Sequence, residues 1–245
     1  MDIKLLQLNI YQGKQYEILK KYLREEDFDI LSLQEIAGHN KAFVDLDIFE
    51  DLKKELNLKG EMVKTTNFPG DKESYAGNAI LYKESLKTSN KAIVWMKPFE
   101  EILQENHDWS IQPRAALSLD FEISGKTITI VDAHMAWGEN PYDKDYKSTQ
   151  AKILLDYLGK LSSPFILTGD FNLVKETQII RSFAQIARDL VSEKGITNTL
   201  NSNVHRIKEL FPRGLAVDYV FTSSGVYEKT GTPIRAPQTI ATPLA

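Results

Sequence analysis

The sequence Phe165-Ile166-Leu167-Thr168-Gly169-Asp170-Phe171-Asn172 joins a short apolar run to a cluster of polar side chains. The apolar run predicts a buried strand, and Gly169 lets the backbone turn or approach a ligand closely. Asp170 and Asn172 can then point into one pocket, Asp170 as a base or metal ligand and Asn172 as a neutral donor and acceptor. Gly, Asp and Asn are also common at ordinary strand exits, so these residues alone leave both interpretations open.

Polar side chains suited to catalysis or metal binding also lie at or near the ends of other predicted strands. They are Asn9, Glu35, His134 and Asp218, and Arg114 begins a further strand. A hydrophobic core gives no reason to place carboxylates, an imidazole and a carboxamide at so many strand ends, whereas a site where strands converge does. The pattern therefore predicts a pocket built from strand ends.

Hydrophobic periodicity predicts a mixture of strands and helices along the chain. Apolar residues at helical spacing predict helices over residues 15–24, 47–58, 148–161 and 178–191. Apolar or alternating runs predict strands over residues 3–10, 28–35, 61–65, 77–82, 92–96, 114–123, 127–133, 165–168 and 216–221. Ser124-Gly125 is the predicted hairpin turn, and residues 97–113 are predicted to form a long surface loop of the kind that often carries function.

The composition indicates an ordinary globular chain. It has 245 residues, of which 42% are hydrophobic and 26% charged, with a net charge of −4. This charge gives no global footprint for nucleic acid, although a bound divalent cation supplies local positive charge in many phosphate sites. The absence of cysteine excludes disulfides and thiolate metal sites, so the oxygen donors point to Mg²⁺ or Mn²⁺. We expect a cytoplasmic protein with neither a signal peptide nor a transmembrane segment.

Six short motifs occur in the order seen in the endonuclease/exonuclease/phosphatase superfamily. They are Asn9, Gln34-Glu35, Gly77-Asn78-Ala79-Ile80-Leu81, Asp132-Ala133-His134, Gly169-Asp170-Phe171-Asn172 and Val217-Asp218-Tyr219-Val220-Phe221. Over nearly its whole length the chain thus resembles the deoxyribonuclease I-like and exonuclease III-like enzymes. The resemblance implies an α/β fold, a four-layer α/β/β/α sandwich in which two facing mixed sheets are flanked by helices.

The resemblance also implies a role for each site residue in metal-assisted hydrolysis of a phosphate ester. Glu35 resembles the main metal ligand, and Asn9 resembles an asparagine that contacts the metal or the phosphate. Asp170 resembles the residue that orients or deprotonates the attacking water. Asn172 would contact the water or a phosphate oxygen, and His134 would donate a hydrogen bond to a phosphate oxygen. Asp218 resembles a carboxylate that orients the site or adds to the metal shell. Phosphate contacts are implied for Arg114 and Asn78. An arginine that opens a hairpin is also often only a surface charge.

The chain departs from the family pattern near its end. Members normally close with Ser-Asp-His and a last strand, whereas residues 239–241 here are Thr-Ile-Ala. Either the chain is a degenerate member or it stops short of that motif, and we favour the second reading because no residues remain for a closing strand. We expect one domain over residues 1–245 that lacks this strand.

Three functions fit these observations. The first is a metal-dependent phosphodiesterase of the nuclease type, acting as a monomer on a phosphodiester substrate, with nucleic acid among the candidates. The second is a phosphatase or phospholipase-type esterase for a small molecule or lipid. The third is a degenerate protein that binds a phosphate ligand without turnover. Trp137 follows His134 closely, so it is a candidate for lining the substrate cleft, although tryptophan is as often part of a core.

Overall fold

A computed structural model describes residues 2–68, 71–99, 109–200 and 215–226. The strands are β1 (Leu5–Asn9), β2 (Ile30–Asn40), β3 (Val44–Asp47), β4 (Leu58–Phe68), β5 (Asp71–Lys83), β6 (Lys87–Lys97), β7 (Arg114–Ile123), β8 (Lys126–His134), β9 (Phe165–Asp170), β10 (Arg188–Asp189) and β11 (Asp218–Thr222). The helices are α1 (Tyr16–Glu26), α2 (Ile48–Glu55), α3 (Asp145–Leu158), α4 (Gln178–Ile186) and α5 (Leu190–Glu193).

The strands form two mixed sheets. The first has the order β1-β2-β5-β4 with β3 paired to β2, and the second has the order β10-β11-β9-β8-β7-β6. The pairs β1–β2 and β8–β9 are parallel, and each is connected through a helix, as parallel neighbours require. The other pairs are antiparallel. Because β9 and β11 are antiparallel, the start of β11 lies beside the end of β9.

Three hydrophobic clusters separate four layers of secondary structure. The first packs α1 and α2 on one sheet and contains Leu19, Leu23, Leu33 and Leu52. The second fills the space between the sheets and contains Ile30, Ile80, Leu117, Phe121 and Ile130. The third packs α3 and α4 on the other sheet and contains Val131, Leu154, Phe171, Phe183 and Phe221. The predicted α/β/β/α sandwich is therefore confirmed.

Most of the predicted elements are present, and the hairpin is confirmed. Ser124 and Gly125 connect β7 to β8 with φ angles of 51° and 75°, the positive values that a type I′ turn requires. In the predicted loop over residues 97–113, Lys97 still belongs to β6 and Trp109–Ile111 form a 3₁₀ turn. Residues 100–108 lie outside the described residues. So do residues 227–245, which include the Thr-Ile-Ala sequence at 239–241.

The single helix predicted over residues 178–191 is wrong. Helix α4 ends at Ile186, Ala187 is extended with φ −152° and ψ 153°, and Arg188–Asp189 form a short strand on β11. The side chain of Asp189 then accepts a hydrogen bond from the Ser192 backbone N–H and begins α5. Pairing with the sheet edge and a new helix cap thus override a helical pattern that continues through the break.

Candidate functional site

The side chain of Asn9, at the end of β1, bridges two carboxylates. Its Nδ2 lies 3.1 Å from Glu35 Oε1 and 2.9 Å from Asp170 Oδ2. Its Oδ1 accepts a hydrogen bond of 2.9 Å from the backbone N–H of Tyr11. This bond fixes the orientation of the amide, so both N–H groups of Asn9 face the carboxylates. The Asn9 side chain thereby connects Glu35 of the first sheet to Asp170 of the second.

Glu35 lies in a bulge inside β2, so the prediction that it ends its strand is wrong. Pairing with β1 runs to Asn9↔Gln34, and the register with β5 shifts between Leu33 and Ile36. Glu35 has a φ of 53°, an uncommon conformation for a residue with a side chain. Bulges re-aim side chains, and this one turns the Glu35 carboxylate toward Asn9.

Phe171 anchors the segment that follows β9. Its ring is fully buried and packs against Phe183, Tyr219 and Phe221 at centroid distances of 5.2, 5.6 and 5.5 Å. Asn172 has a φ of 53°, and its backbone N–H donates to Asp170 Oδ1 at 2.9 Å. The buried aromatic residue between them therefore holds Asp170 and Asn172 in place.

Lys147 supports the same segment from behind and was missed by the sequence interpretation. Its buried Nζ donates to the carbonyl oxygens of Asn140 and Asn172 at 3.0 and 2.9 Å. Burial lowers the pKa of Lys147 to about 8. A signal was present in the sequence, because Lys147 shares the apolar stripe of α3 with Ala151 and Leu154 at helical spacing.

His134, at the end of β8, completes the cluster. Its Nε2 lies 3.4 Å from Asn172 Nδ2, 3.9 Å from Glu35 Oε1 and 4.0 Å from Asp170 Oδ2. Burial, with the positive charge of Arg114 as a second cause, holds the pKa of His134 well below its usual value. The imidazole is therefore neutral at pH 7 and can donate one hydrogen bond.

Arg114 is a buried cation with few hydrogen bonds to the described residues, so the interpretation as a surface charge is wrong. Arg114 is only 8% exposed, and its Nε has no hydrogen-bond partner among the described residues. Its Nη1 makes one long contact of 3.5 Å with the Pro113 carbonyl. Burial lowers the pKa of Arg114, and the nearby charges of Glu35 and Asp170 oppose that shift. A guanidinium stays protonated in proteins, so this group has capacity to bind an anion.

Asp218, the first residue of β11, pairs in register with Asp170. Its Oδ1 accepts from Gln7 Nε2 at 2.9 Å and its Oδ2 from Thr199 Oγ1 at 2.6 Å. Burial raises the pKa of Asp218 to about 6, against the effect of those two hydrogen bonds. Burial first, then the charges of Asp218 and Glu35, raise the pKa of Asp170 well above its usual value.

Asn78 is placed differently from the other predicted site residues. It lies inside β5, is 1% exposed, and its Nδ2 donates to the Ala115 carbonyl at 3.0 Å. This hydrogen bond joins the two sheets directly beside Arg114. A phosphate contact for Asn78 stays a prediction.

The donors at this site fit a hard divalent cation bound through few protein oxygens. Glu35 and Asp170 both bring carboxylate oxygens to the Asn9 side chain, whose N–H groups face them while Oδ1 faces the Tyr11 N–H. Asn9 would add its oxygen to an ion bound at the carboxylates if its amide turned over. Among the residues that the structure describes, no three His, Asp or Glu side chains form a metal-binding group. Mg²⁺ commonly takes one or two carboxylates and completes its shell with water and substrate phosphate, so the chemistry is compatible.

Asp132, on β8, is a fully buried carboxyl group below this cluster. Burial raises the pKa of Asp132 to about 8, so its proton stays bound at neutral pH. The unfolded chain releases that proton near pH 4. The folded state therefore binds more protons between these values, and the free energy of unfolding falls as the pH rises through them.

The variant Asp132→Asn has no such proton and should lose this pH dependence. We expect its free energy of unfolding, relative to the unmodified protein, to rise from pH 5 to pH 8 by at most about 1.4 kcal/mol per pH unit. Urea unfolding at several pH values measures the difference. Ser118→Ala, which removes a buried hydroxyl without a hydrogen-bond partner among the described residues, should give a difference that is independent of pH.

Comparisons with known proteins agree with this architecture. A model of the Endonuclease/Exonuclease/phosphatase family matches residues 6–238. A curated relative, the probable CCR4-Not complex 3'-5'-exoribonuclease subunit Ccr4 of Vairimorpha ceranae (strain BRL01), is 29% identical over 180 residues. That match covers 64% of this chain and 36% of the relative, so the chain spans about a third of the relative's length.

Solved structures share the fold at low sequence identity. An endonuclease/exonuclease/phosphatase from Bacteroides vulgatus superposes with a TM-score of 0.68 at 16% identity, covering 91% of this chain and 88% of the other. The mannosyl-6-phosphatase of Bacteroides thetaiotaomicron VPI-5482 gives 0.63 at 20% identity, covering 91% and 86%. The human Nocturnin catalytic domain with bound sulfate gives 0.60 at 18% identity, covering 91% and 82%. At such identities these likenesses concern the fold alone.

None of the helices in the described parts of the chain is long and apolar enough to cross a membrane.

Proposed function

The chain belongs to the endonuclease/exonuclease/phosphatase family, and we propose that it is a divalent-metal-dependent phosphoesterase that hydrolyses phosphodiester bonds by in-line attack of an activated water. One observation carries the proposal. The buried Arg114 guanidinium, with Nε unpaired among the described residues, lies near the two carboxylates that Asn9 holds together. A guanidinium whose Nε lacks a partner among the described residues, and which lies beside clustered carboxylates, is suited to bind one side of a phosphate group while a metal ion binds the other side.

Asp170 is proposed as the general base. Its raised pKa makes the carboxylate a better proton acceptor than an exposed aspartate. Its Oδ1 is held by the Asn172 N–H and its Oδ2 by Asn9, so its position is fixed before substrate binds. Asn172 would contact the water or a phosphate oxygen.

Glu35 and Asn9 are proposed to hold the metal ion, Mg²⁺ or Mn²⁺. When bound, such an ion neutralises phosphate charge and stabilises the leaving oxygen. The bulge at Glu35 supports this role, because a strained backbone is retained where the direction of a side chain matters.

His134 and Arg114 are proposed to bind the non-bridging phosphate oxygens. A neutral, buried imidazole keeps one N–H that can donate a hydrogen bond to a phosphate oxygen. Arg114 adds a permanent positive charge where negative charge develops in the transition state. Asp218 lies behind Asp170 and would orient it rather than contact the phosphate.

We propose a diester as the substrate, since the family as a whole includes enzymes that act on other phosphate esters. The names of similar proteins include an exoribonuclease subunit and a sugar phosphatase. A phosphatase or phospholipase-type esterase is therefore the main alternative. We further propose that residues 1–245 form one domain; a monomeric state and a cytoplasmic location stay predictions.

The test combines metals, substrates and one substitution. With Mg²⁺ or Mn²⁺ the protein should hydrolyse bis-p-nitrophenyl phosphate and RNA or DNA oligonucleotides faster than p-nitrophenyl phosphate, and EDTA should stop the reaction. Arg114→Gln should lower kcat/KM for the diester about 100-fold, the usual size of one lost charge-stabilising contact. Calorimetric titration with Mg²⁺ gives a second readout that does not depend on turnover.

Arg188→Gln is the matched control. Arg188 is a surface arginine that pairs with Glu193, so the same chemical change should leave kcat/KM unaltered. Faster hydrolysis of the monoester would favour the phosphatase alternative. Mg²⁺ binding without hydrolysis of any substrate would favour a binding protein and contradict the proposal.

A further inference from the structure

A chain of hydrogen bonds runs between the two sheets directly below the site. Gln34 Nε2 donates to Asp132 Oδ1 at 2.5 Å, and Gln7 Nε2 donates to Gln34 Oε1 at 2.8 Å. Gln7 Nε2 also donates to Asp218 Oδ1 at 2.9 Å. We call Asp132, Gln34, Gln7 and Asp218 the interlayer chain. It crosses from β8 to β2, passes to β1 and returns to the second sheet at β11.

The donors of both glutamines in the interlayer chain are fully used. The two N–H groups of Gln7 serve Gln34 and Asp218, and those of Gln34 serve Asp132 and, at 3.4 Å, the Ser32 carbonyl. Since an amide has distinct donor and acceptor ends, the orientation of each glutamine depends on the next. An acceptor at position 132 therefore fixes the orientation of the Gln34 amide, and the Gln34 amide fixes that of Gln7.

The interlayer chain ends at a carboxylate of the proposed site. Asp218 lies opposite Asp170 in the β9–β11 register, and its charge raises the pKa of Asp170. Asp132 and Gln34 are fully buried, and among the described residues neither has a hydrogen bond to Asp170 or Arg114, so we give them no direct part in the reaction. A buried polar chain is costly where one of its atoms lacks a partner. In the interlayer chain Asp132 Oδ2, at the far end from Asp218, is buried without a hydrogen-bond partner among the described residues, whereas Oδ1 accepts from Gln34.

We propose that Asp132, Gln34 and Gln7 are positioning residues that set the orientation of the Asp218 carboxylate for the phosphoester hydrolysis proposed above, on which this inference rests. Asp132 acts as the fixed acceptor at the far end. Its effect on the site is transmitted by the direction of two amide groups and needs no movement of the backbone.

Two substitutions at position 132 separate positioning from packing. Asp132→Asn keeps an acceptor oxygen for Gln34, so kcat should stay within about threefold of the unmodified protein. Asp132→Leu removes the acceptor and should lower kcat about tenfold with little change in KM, a size typical of coupling within one polar network. In the Asp218→Asn background Asp132→Leu should cause no further loss, because the carboxylate it positions is already gone.

Thr65→Val is the control for the loss of a buried hydroxyl elsewhere in the sandwich. Thr65 lies on β4, and its Oγ1 donates to the Ala76 carbonyl at 3.3 Å without any hydrogen bond to the interlayer chain among the described residues. The substitution should reduce stability and leave kcat unchanged. An equal loss of kcat from Asp132→Leu in both backgrounds would overturn the proposal. If Asp132→Leu does not fold, Gln34→Met breaks the chain at its next link and is subject to the same criteria.

An NMR measurement tests the proposal without any turnover. The side-chain ¹⁵N–H signals of Gln7 should shift in Asp132→Leu and stay in place in Asp132→Asn, although Gln7 has no hydrogen bond to Asp132. Unmoved Gln7 signals in the folded leucine variant would reject transmission along the chain. If the unmodified protein hydrolyses no phosphoester, the proposed function fails, and the Gln7 signals still decide whether the interlayer chain orients the amide beside Asp218.

Discussion

Asp170→Asn is expected to lower kcat for phosphodiester hydrolysis by about 10³-fold, within the usual range for loss of a general base. An amide of the same shape cannot accept the proton of the attacking water. It also replaces one of two acceptor oxygens, since Oδ1 accepts from the Asn172 N–H and Oδ2 from Asn9. The measurement is kcat at saturating diester and metal, with circular dichroism to verify folding.

Asp120→Asn provides the comparison for this result. Asp120 lies on β7, where it accepts hydrogen bonds from Thr129 and Asn90 away from the site. The same substitution there should leave kcat unaltered. If Asp170→Asn kept more than about a tenth of the activity, another group would have to be the base, because that loss is below the smallest effect expected of a general base.

Local sequence patterns predicted the layers of the fold because the same patterns create them. Apolar residues at helical spacing in α1 and α3 pack on the sheets, and the alternation in β7 buries one face between the sheets. The boundaries were less predictable. Ala187 ends α4 because Arg188 and Asp189 find partners on β11, and those partners lie more than thirty residues further along the chain.

The strand ends that converge on the site were also predictable as a group. Asn9, His134 and Asp170 lie at strand ends as predicted, with Asn9 Nδ2 2.9 Å and His134 Nε2 4.0 Å from Asp170 Oδ2. The direction of Glu35 was not predictable, since it depends on a bulge in a strand that continues to Asn40. A bulge is a register shift against a partner strand, and the sequence of one strand does not contain it.

Supporting contacts across the layers were hardest to foresee. Lys147 could have been found as a charge on an apolar helix face, but its acceptors, two backbone carbonyls, depend on how two loops meet. Arg114 is the first residue of a strand, a position where arginine is often exposed. Its burial depends on how the two sheets pack, so the sequence did not predict it. Gln7 gave no sequence signal, and Asp132 was noticed only as part of the Asp132-Ala133-His134 motif. The link between the two residues was not predictable, because it requires both sheets to face each other.

The close approach of β8 and β9 leads to the second large expected effect. Gly169 pairs with Ala133 and has a φ of +151°, and a Cβ built there would lie 1.9 Å from the Ala133 carbonyl oxygen. The flanking pair in the same register is His134 and Asp170. A larger residue must therefore separate the two strands where they carry the proposed base and the imidazole.

Gly169→Ala is expected to lower the free energy of unfolding by about 3 to 5 kcal/mol, from an unfavourable backbone conformation and from overpacking against a main-chain atom. Urea unfolding measures this loss. Gly195→Ala is the matched control, because Gly195 also has a positive φ, +67°, but has no atom within 4 Å of the added Cβ. That control should cost only about 1 kcal/mol.

The two variants together separate strain from steric contact. Equal losses in both would mean that backbone conformation alone explains the glycine and that β8 has room to shift. A larger loss in Gly169→Ala, with kcat reduced in whatever protein remains folded, would mean that the distance between these strands sets the 4.0 Å separation of His134 and Asp170. Gly169 would then be needed at the site because it allows β8 and β9 to lie close together, and not only because glycine allows the backbone to turn.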